Sequence, residues 1–175
     1  MPDPDLVPDC RNCDALCCVL LSFDASAEFA VAKPACVACR NLSRDNSCCI
    51  HSTLADQGIM GCVAYSCYGA GQRLKAEVFR GGSWRSDAAL LPALDEAFRS
   101  LRDLHEAAFL LQAAARLPLP PGTKRQRQDL QAALNFSQDW TPASLRSAML
   151  TQALTSVRSF LAGLRDLPEV RPPHP

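Results

Sequence analysis

Ten cysteines lie between positions 10 and 67 of this 175-residue chain, and none follows. Thiolates ligate zinc, iron–sulfur clusters and copper(I), and they are the nucleophiles of thiol redox chemistry. The order is Cys10-x2-Cys13-x3-Cys17-Cys18, then Cys36-x2-Cys39, then Cys48-Cys49, then Cys62-x4-Cys67. The two-residue spacing of Cys10/Cys13 and of Cys36/Cys39 fits a chelating turn that brings two sulfurs to one tetrahedral ion. More distant segments supply the other ligands. At four ligands per ion, ten cysteines are enough for two sites. An adjacent pair such as Cys17-Cys18 points its side chains apart. Such a pair is expected to serve two sites, or to leave one sulfur in the interior as a small hydrophobe. His51, three residues after Cys48, is a candidate nitrogen ligand. The C-x3-C-x2-C run of radical-SAM enzymes is absent: Cys13 and Cys17 supply its first step, but position 20 is Leu20.

The compartment decides between ligands and disulfides. Met1-Pro2-Asp3-Pro4-Asp5 has no basic stretch followed by an apolar one, so it does not read as a secretory signal. No long uninterrupted apolar run is present to span a bilayer. The chain is therefore expected in the cytoplasm, where thiols stay reduced and dense cysteines read as metal-binding or redox groups. Net charge is zero, so the whole chain has no bulk attraction to nucleic acid or membrane. The charge is nevertheless unevenly spread. Residues 1–71 hold eight acids and four bases, and residues 72–175 hold ten acids and fourteen bases. The two parts should attract each other weakly, since exposed pairs are screened by salt.

The elements that must position the thiols follow from pattern. Residues 1–71 have little helical periodicity beyond a short possible turn at 25–32, and few apolar residues with which to build a core. A segment this small needs staples, and bound metal is one. Residues 72–85 read as a connector, with room for a short extended piece at 74–79 and a turn at Gly81-Gly82. The remainder reads as helix. Ser86 or Asp87 caps a helix to about position 117, whose Leu90, Leu94, Phe98, Leu101, Leu104, Ala108 and Leu111 form one apolar stripe. Pro118-Leu119-Pro120-Pro121-Gly122 ends it. A second helix is expected over 125–136. A third follows the Thr141-Pro142 start signal to about Leu164. The expected architecture is a small cysteine-rich, metal-stapled irregular domain (1–71), the connector, an all-α three-helix bundle (86–167) and a flexible tail (168–175).

The cysteine segment also resembles a known family. The run Cys10-Arg11-Asn12-Cys13-Asp14-Ala15-Leu16-Cys17-Cys18, with Cys39-Arg40-Asn41-Leu42, Cys48-Cys49-Ile50-His51 and Gly61-Cys62 to Cys67, is similar to the YkgJ-type cysteine-cluster proteins. These are regarded as zinc- or iron-chelating. The similarity is closer to the N-terminal module of certain bacterial pentapeptide-repeat proteins, which continue with a segment like Tyr68-Gly69-Ala70-Gly71-Gln72 and a Leu-His-Glu step like Leu104-His105-Glu106. It covers about residues 8–117. By position, the resemblance implies metal ligands at Cys10, Cys13, Cys17, Cys18, Cys39, Cys48, Cys62 and Cys67. Eight thiolates would fill two four-thiolate sites, or one iron–sulfur cluster with thiols to spare. Cys36 and Cys49 are additions to the pattern. No tandem pentapeptide array follows Leu164, so the chain resembles the N-terminal module standing alone.

Other motifs carry less. Gly69-Ala70-Gly71 lacks the third glycine and preceding strand of a dinucleotide loop, and reads as a turn. Lys124-Arg125-Gln126-Arg127 reads as a solvated helix start rather than a nucleic-acid contact. His105 reads as a satisfied interfacial histidine, and Trp84 and Trp140 as packing between layers. No catalytic triad, phosphate loop or HExxH stands out, so the reading leans away from an enzyme. Three functions remain open: a zinc or iron protein with a structural or regulatory role, an iron–sulfur protein in electron transfer, sensing or catalysis, and a thiol redox sensor or copper(I) buffer. The expected partner is a metal ion, with a further protein partner possible and neither nucleic acid nor membrane expected.

Overall fold

The computed structural model describes residues 6–168; Met1–Asp5 and the expected tail from 169 on lie outside the described residues. The described residues are mostly helical and contain no β-strand. Two isolated antiparallel bridges, Phe23 with Lys33 and Leu42 with Cys48, fold the loops of the cysteine segment. None of the described helices is long and apolar enough to cross a membrane.

The central element is helix α4, Leu91–Ala114. Ahead of it, the Asp87 carboxylate accepts from the Ala89 amide at 2.9 Å, and Pro92 sits in its first turn, where a missing amide costs nothing. Leu94, Phe98, Leu101, Leu104, Ala108 and Leu111 are buried along it as the stripe requires. So are Ala97, Ala107 and Ala114, which widen the buried face. Helix α1 (Leu16–Leu20), α3 (Ala70–Arg73), α5 (Pro121–Ala133), α6 (Pro142–Leu145) and α7 (Ala148–Gly163) all touch α4, and α5 also touches α7. A further short helix, α2, spans Met60–Ala64.

α4 ends at Ala114 and α5 at Ala133, each about three residues short of expectation, and three further differences have identifiable causes. α5 begins at Pro121 because a proline at the first helical position starts a helix as readily as it ends the previous one. The expected third helix is split. Thr141 and Ser144 close a capping box on α6, and Ser147 then caps α7 afresh by accepting from the Leu150 amide at 3.2 Å. Residues 74–79 are not extended. Leu74–Val78 form a π-helical turn continuing α3, and the Phe79 amide reaches the Leu74 carbonyl at 2.9 Å. Burial of Leu74 with no exposed surface holds that turn against the core.

One apolar core runs through both compositional parts. Leu6, Leu16, Val19 and Leu20 join the α4 stripe, and Leu145, Leu150, Val157 and Phe160 close its other side. Polar ties cross between the parts as well. The Lys75 ammonium pairs with the buried Asp14 carboxylate at 2.7 Å, and Trp84 Nε1 donates to the Asp14 carbonyl at 2.8 Å. Arg85 donates to Asn46 Oδ1 at 2.7 Å and to the Ser43 carbonyl at 2.9 Å. Trp140 is buried in the core.

Candidate functional site

The cysteines are held by short elements braced on α4. In α1, Leu16, Val19 and Leu20 are buried, which turns the intervening Cys17 and Cys18 toward the edge of the core, where both are half-buried. Their sulfurs lie 4.0 Å apart. Ala15, with a left-handed φ of 54°, bends the chain into α1 so that Cys13 lies on one side of it. Cys10 opens a 3-10 turn, Cys10–Asn12, fastened by the Asp9 carboxylate, which accepts from the Arg11 amide at 3.1 Å. Gln72 of α3 clamps this turn from outside: its Oε1 accepts from the Asp9 amide at 3.1 Å and its Nε2 donates to the Val7 carbonyl at 2.8 Å.

Cys67 lies in the turn that leads into α3. Here α4 supplies the anchor. The buried His105 Nδ1–H donates to the Tyr68 carbonyl at 2.6 Å, and its ring meets Phe136 at 4.7 Å. Arg102 pairs with Glu106 at 3.0 Å while its guanidinium lies over the rings of Tyr65 and Tyr68, 5.6 and 5.7 Å from their centroids. The remaining thiols come from loops. The Cys39 amide donates to the Cys18 carbonyl at 2.9 Å, and the Cys36 amide to the Leu20 carbonyl at 3.3 Å. Cys48 sits in the bridge with Leu42, and Cys62 in α2.

Electrostatic neighbourhoods sort these thiols into two sets that meet at Cys17-Cys18. In the first set, Cys13 and Cys67 each lie in the field of both Cys10 and Cys17. Cys18, Cys39, Cys48 and Cys62 form the second set, and Cys18 also reaches Cys10. Cys49 is exposed and adjoins Cys48. Cys36 has a left-handed φ of 56° and lies beside Lys33. His51 is exposed and opens the turn His51–Thr53. As the side chains stand, no three His, Cys, Asp or Glu residues among those described close into a ligand group. The thiols are neighbours rather than a finished cage.

Burial raises the pKa of four of these thiols. It pushes Cys13 up to about 12 and Cys62 up to about 11, and raises Cys10 and Cys48 as well. Cys17 and Cys18 act as a pair. The hydrogen bond between them holds the Cys17 thiol up and favours the Cys18 thiolate, which the Lys33 charge further supports.

Two observations bear on whether a thiolate-held ion fits the first set. The Tyr65 hydroxyl is buried near Cys17 and Cys67, and Arg102, which can only donate to it, leaves its proton without an acceptor among the described residues. A buried donor of this kind is costly unless an acceptor arrives, and a metal-bound thiolate is one. Gly71 leaves the space that the Cys13 sulfur fills, since a Cβ there would lie 2.5 Å from it. The donor set is all sulfur, which suits zinc, iron–sulfur or copper(I) and excludes magnesium and calcium.

Sequence reasoning missed several of these residues. Gly71 was visible only as a turn glycine, and nothing in the sequence singled out Tyr65. Lys33 gave no signal, because lysine is read by default as exposed. No family model matches the chain, and no solved structure matches it. Among curated proteins it is similar to the uncharacterized protein YybG of Bacillus subtilis (strain 168), with 38% identity over 110 residues. The match takes in 63% of this chain and 39% of that protein, so the chain spans well under half of this relative's length.

Proposed function

We propose that the chain is a cytoplasmic metal-binding protein that holds zinc, or in second place iron, through clustered cysteine thiolates. Its role in this reading is structural or regulatory rather than catalytic. The observation that carries it is the neighbourhood of eight thiols from four stretches of sequence around the Cys17-Cys18 pair, grouped four and four by their mutual electrostatics. Four thiolates complete a closed structural zinc site with no open position for substrate. The ions would staple the segment before residue 70 ahead of a three-helix bundle formed by α4, α5 and α7. Each thiol must lose its proton to ligate, so metal uptake releases protons and strengthens as pH rises.

Elemental analysis of protein purified without oxygen tests this reading. The expected result is two zinc ions per chain and no visible absorption. Iron with a brown colour that bleaches on reduction would replace zinc with the iron–sulfur alternative. Metal-free protein that stays folded under these conditions would overturn the reading.

A second test leaves every thiol in place. Gly71→Ala adds a Cβ 2.5 Å from the Cys13 sulfur, with the Cys13 Cβ 3.5 Å and Phe98 3.9 Å away. The sulfur must move. The expected outcome is loss of about one of the two metal equivalents, read by the same elemental analysis. Unchanged stoichiometry would remove Cys13 from the ligand set.

A further inference from the structure

Lys33 is one of three polar or charged residues buried in the described structure, with 6% of its surface exposed. Its ammonium donates to three carbonyls: Val19 at 2.9 Å, Pro34 at 2.9 Å and Val37 at 2.8 Å. All three protons are therefore satisfied, but the charge is not. None of the ion pairs among the described residues involves Lys33. A buried charge without a counter-charge is strongly destabilising, and natural proteins rarely leave one in that state. The groups within its field that can become anionic are thiols: Cys39, Cys18, Cys36 and Cys17.

Its position in the fold has a second consequence. The last carbonyls of α1 have no intrahelical partners. The Cys39 amide takes the Cys18 carbonyl, Lys33 takes the Val19 carbonyl, and the Cys36 amide takes the Leu20 carbonyl. Lys33 itself is pinned by its bridge to Phe23, with paired backbone hydrogen bonds of 2.8 and 3.0 Å. It thus fastens the loop carrying Cys36 and Cys39 to the end of the helix carrying Cys17 and Cys18.

Resting on the metal-binding reading above, we propose that Lys33 is the positioning residue of the second thiol set. Its fixed positive charge offsets the surplus negative charge that Cys18, Cys39, Cys48 and Cys62 carry when they hold a divalent ion. Four thiolates around such an ion leave two negative charges uncompensated. A buried ammonium beside them lowers that cost, as outer-sphere partners do at metal sites generally. Among the described residues no other lysine or arginine is buried, and Lys33 reaches only Cys17 of the first set against Cys18, Cys39 and Cys62 of the second, so its effect falls mainly on the second site.

The experiment compares Lys33→Met, Lys33→Gln and Lys33→Arg in the full chain, loaded with zinc anaerobically and challenged with a coloured chelator. Wild type is expected to give up two equivalents. In Lys33→Met and Lys33→Gln one equivalent should bind about 10–100-fold more weakly, with the other affected much less. Lys33→Arg should hold both nearly as wild type does. Lys33→Gln loses the charge but keeps two hydrogen-bond donors on a shorter stem, so it remains informative if Lys33→Met fails to fold. Equal retention of both equivalents by folded Lys33→Gln and Lys33→Arg would overturn the proposal. Absence of zinc from the wild-type chain would instead overturn the reading on which it rests.

Discussion

Adding a strong chelator under anaerobic, reducing conditions is expected to unfold the cysteine segment while leaving most of the helical content intact. Structural zinc supplies about 10–16 kcal/mol of apparent binding free energy to small domains, and that energy is folding energy. Beyond Leu6 and the α1 residues that join the core, the segment has little else. Its regular elements are the five-residue helices α1 and α2 and two isolated bridges. Ordering each residue costs about 1–2 kcal/mol of backbone entropy, which sparse burial in loops 22–53 cannot offset. The long helices supply most of the shared core. Two tryptophans report separately. Trp84 donates to the Asp14 carbonyl at 2.8 Å and should become solvent-exposed on chelation. Trp140 is 5% exposed within the helical core and should not change. Fluorescence quenching, limited proteolysis and far-ultraviolet circular dichroism measure the three parts. A metal-depleted protein whose Trp84 stays shielded and whose loops resist protease would show that metal does not hold this segment.

Phe98→Ala is expected to cost about 3–5 kcal/mol of unfolding free energy, the usual penalty for emptying a buried aromatic site. Phe98 is 1% exposed and lies about two turns into α4. Its ring edge is 3.9 Å from the place a Gly71 Cβ would occupy, so it supports α3 directly behind Cys13. A cavity there has little means of collapse, since Leu94, Leu101 and Leu74 are all fixed in the same core. Leu110, 38% exposed on the same helix, is the control, and its replacement by alanine should cost far less. Denaturant unfolding of both variants measures the difference. A loss below about 1 kcal/mol at Phe98 would mean that the core repacks and that α3 is not braced in this way.

Legibility in the sequence divides along physical lines. The stripe on α4 was readable because an amphipathic period of three and four residues depends only on local spacing. The helix boundaries were less so. Pro121 and Ser147 each start a helix where the surrounding residues read as a break or a continuation. The π-helical turn at Leu74–Val78 was not readable, because burial of Leu74 rather than local propensity sets it. For the thiols, spacing identified close pairs but not which segments meet. That grouping depends on loop docking at the end of α1, through the Cys39 and Cys36 amides. Lys33 and Tyr65 were invisible for the same reason: what sets them apart is a buried environment made by distant residues.

The anchoring of Tyr68 by His105 bears on how the chain is made. All ten cysteines precede the helix that braces them, and Cys67 leaves the ribosome before any residue of α4. At roughly 5–20 residues per second, the nascent thiols wait some seconds before α4 can close against them. Through that interval they are open to oxidation, to mispairing and to the wrong metal. The order of the chain thus makes synthesis the vulnerable period of this protein's life, and the supply of reductant and metal at the ribosome a determinant of its yield.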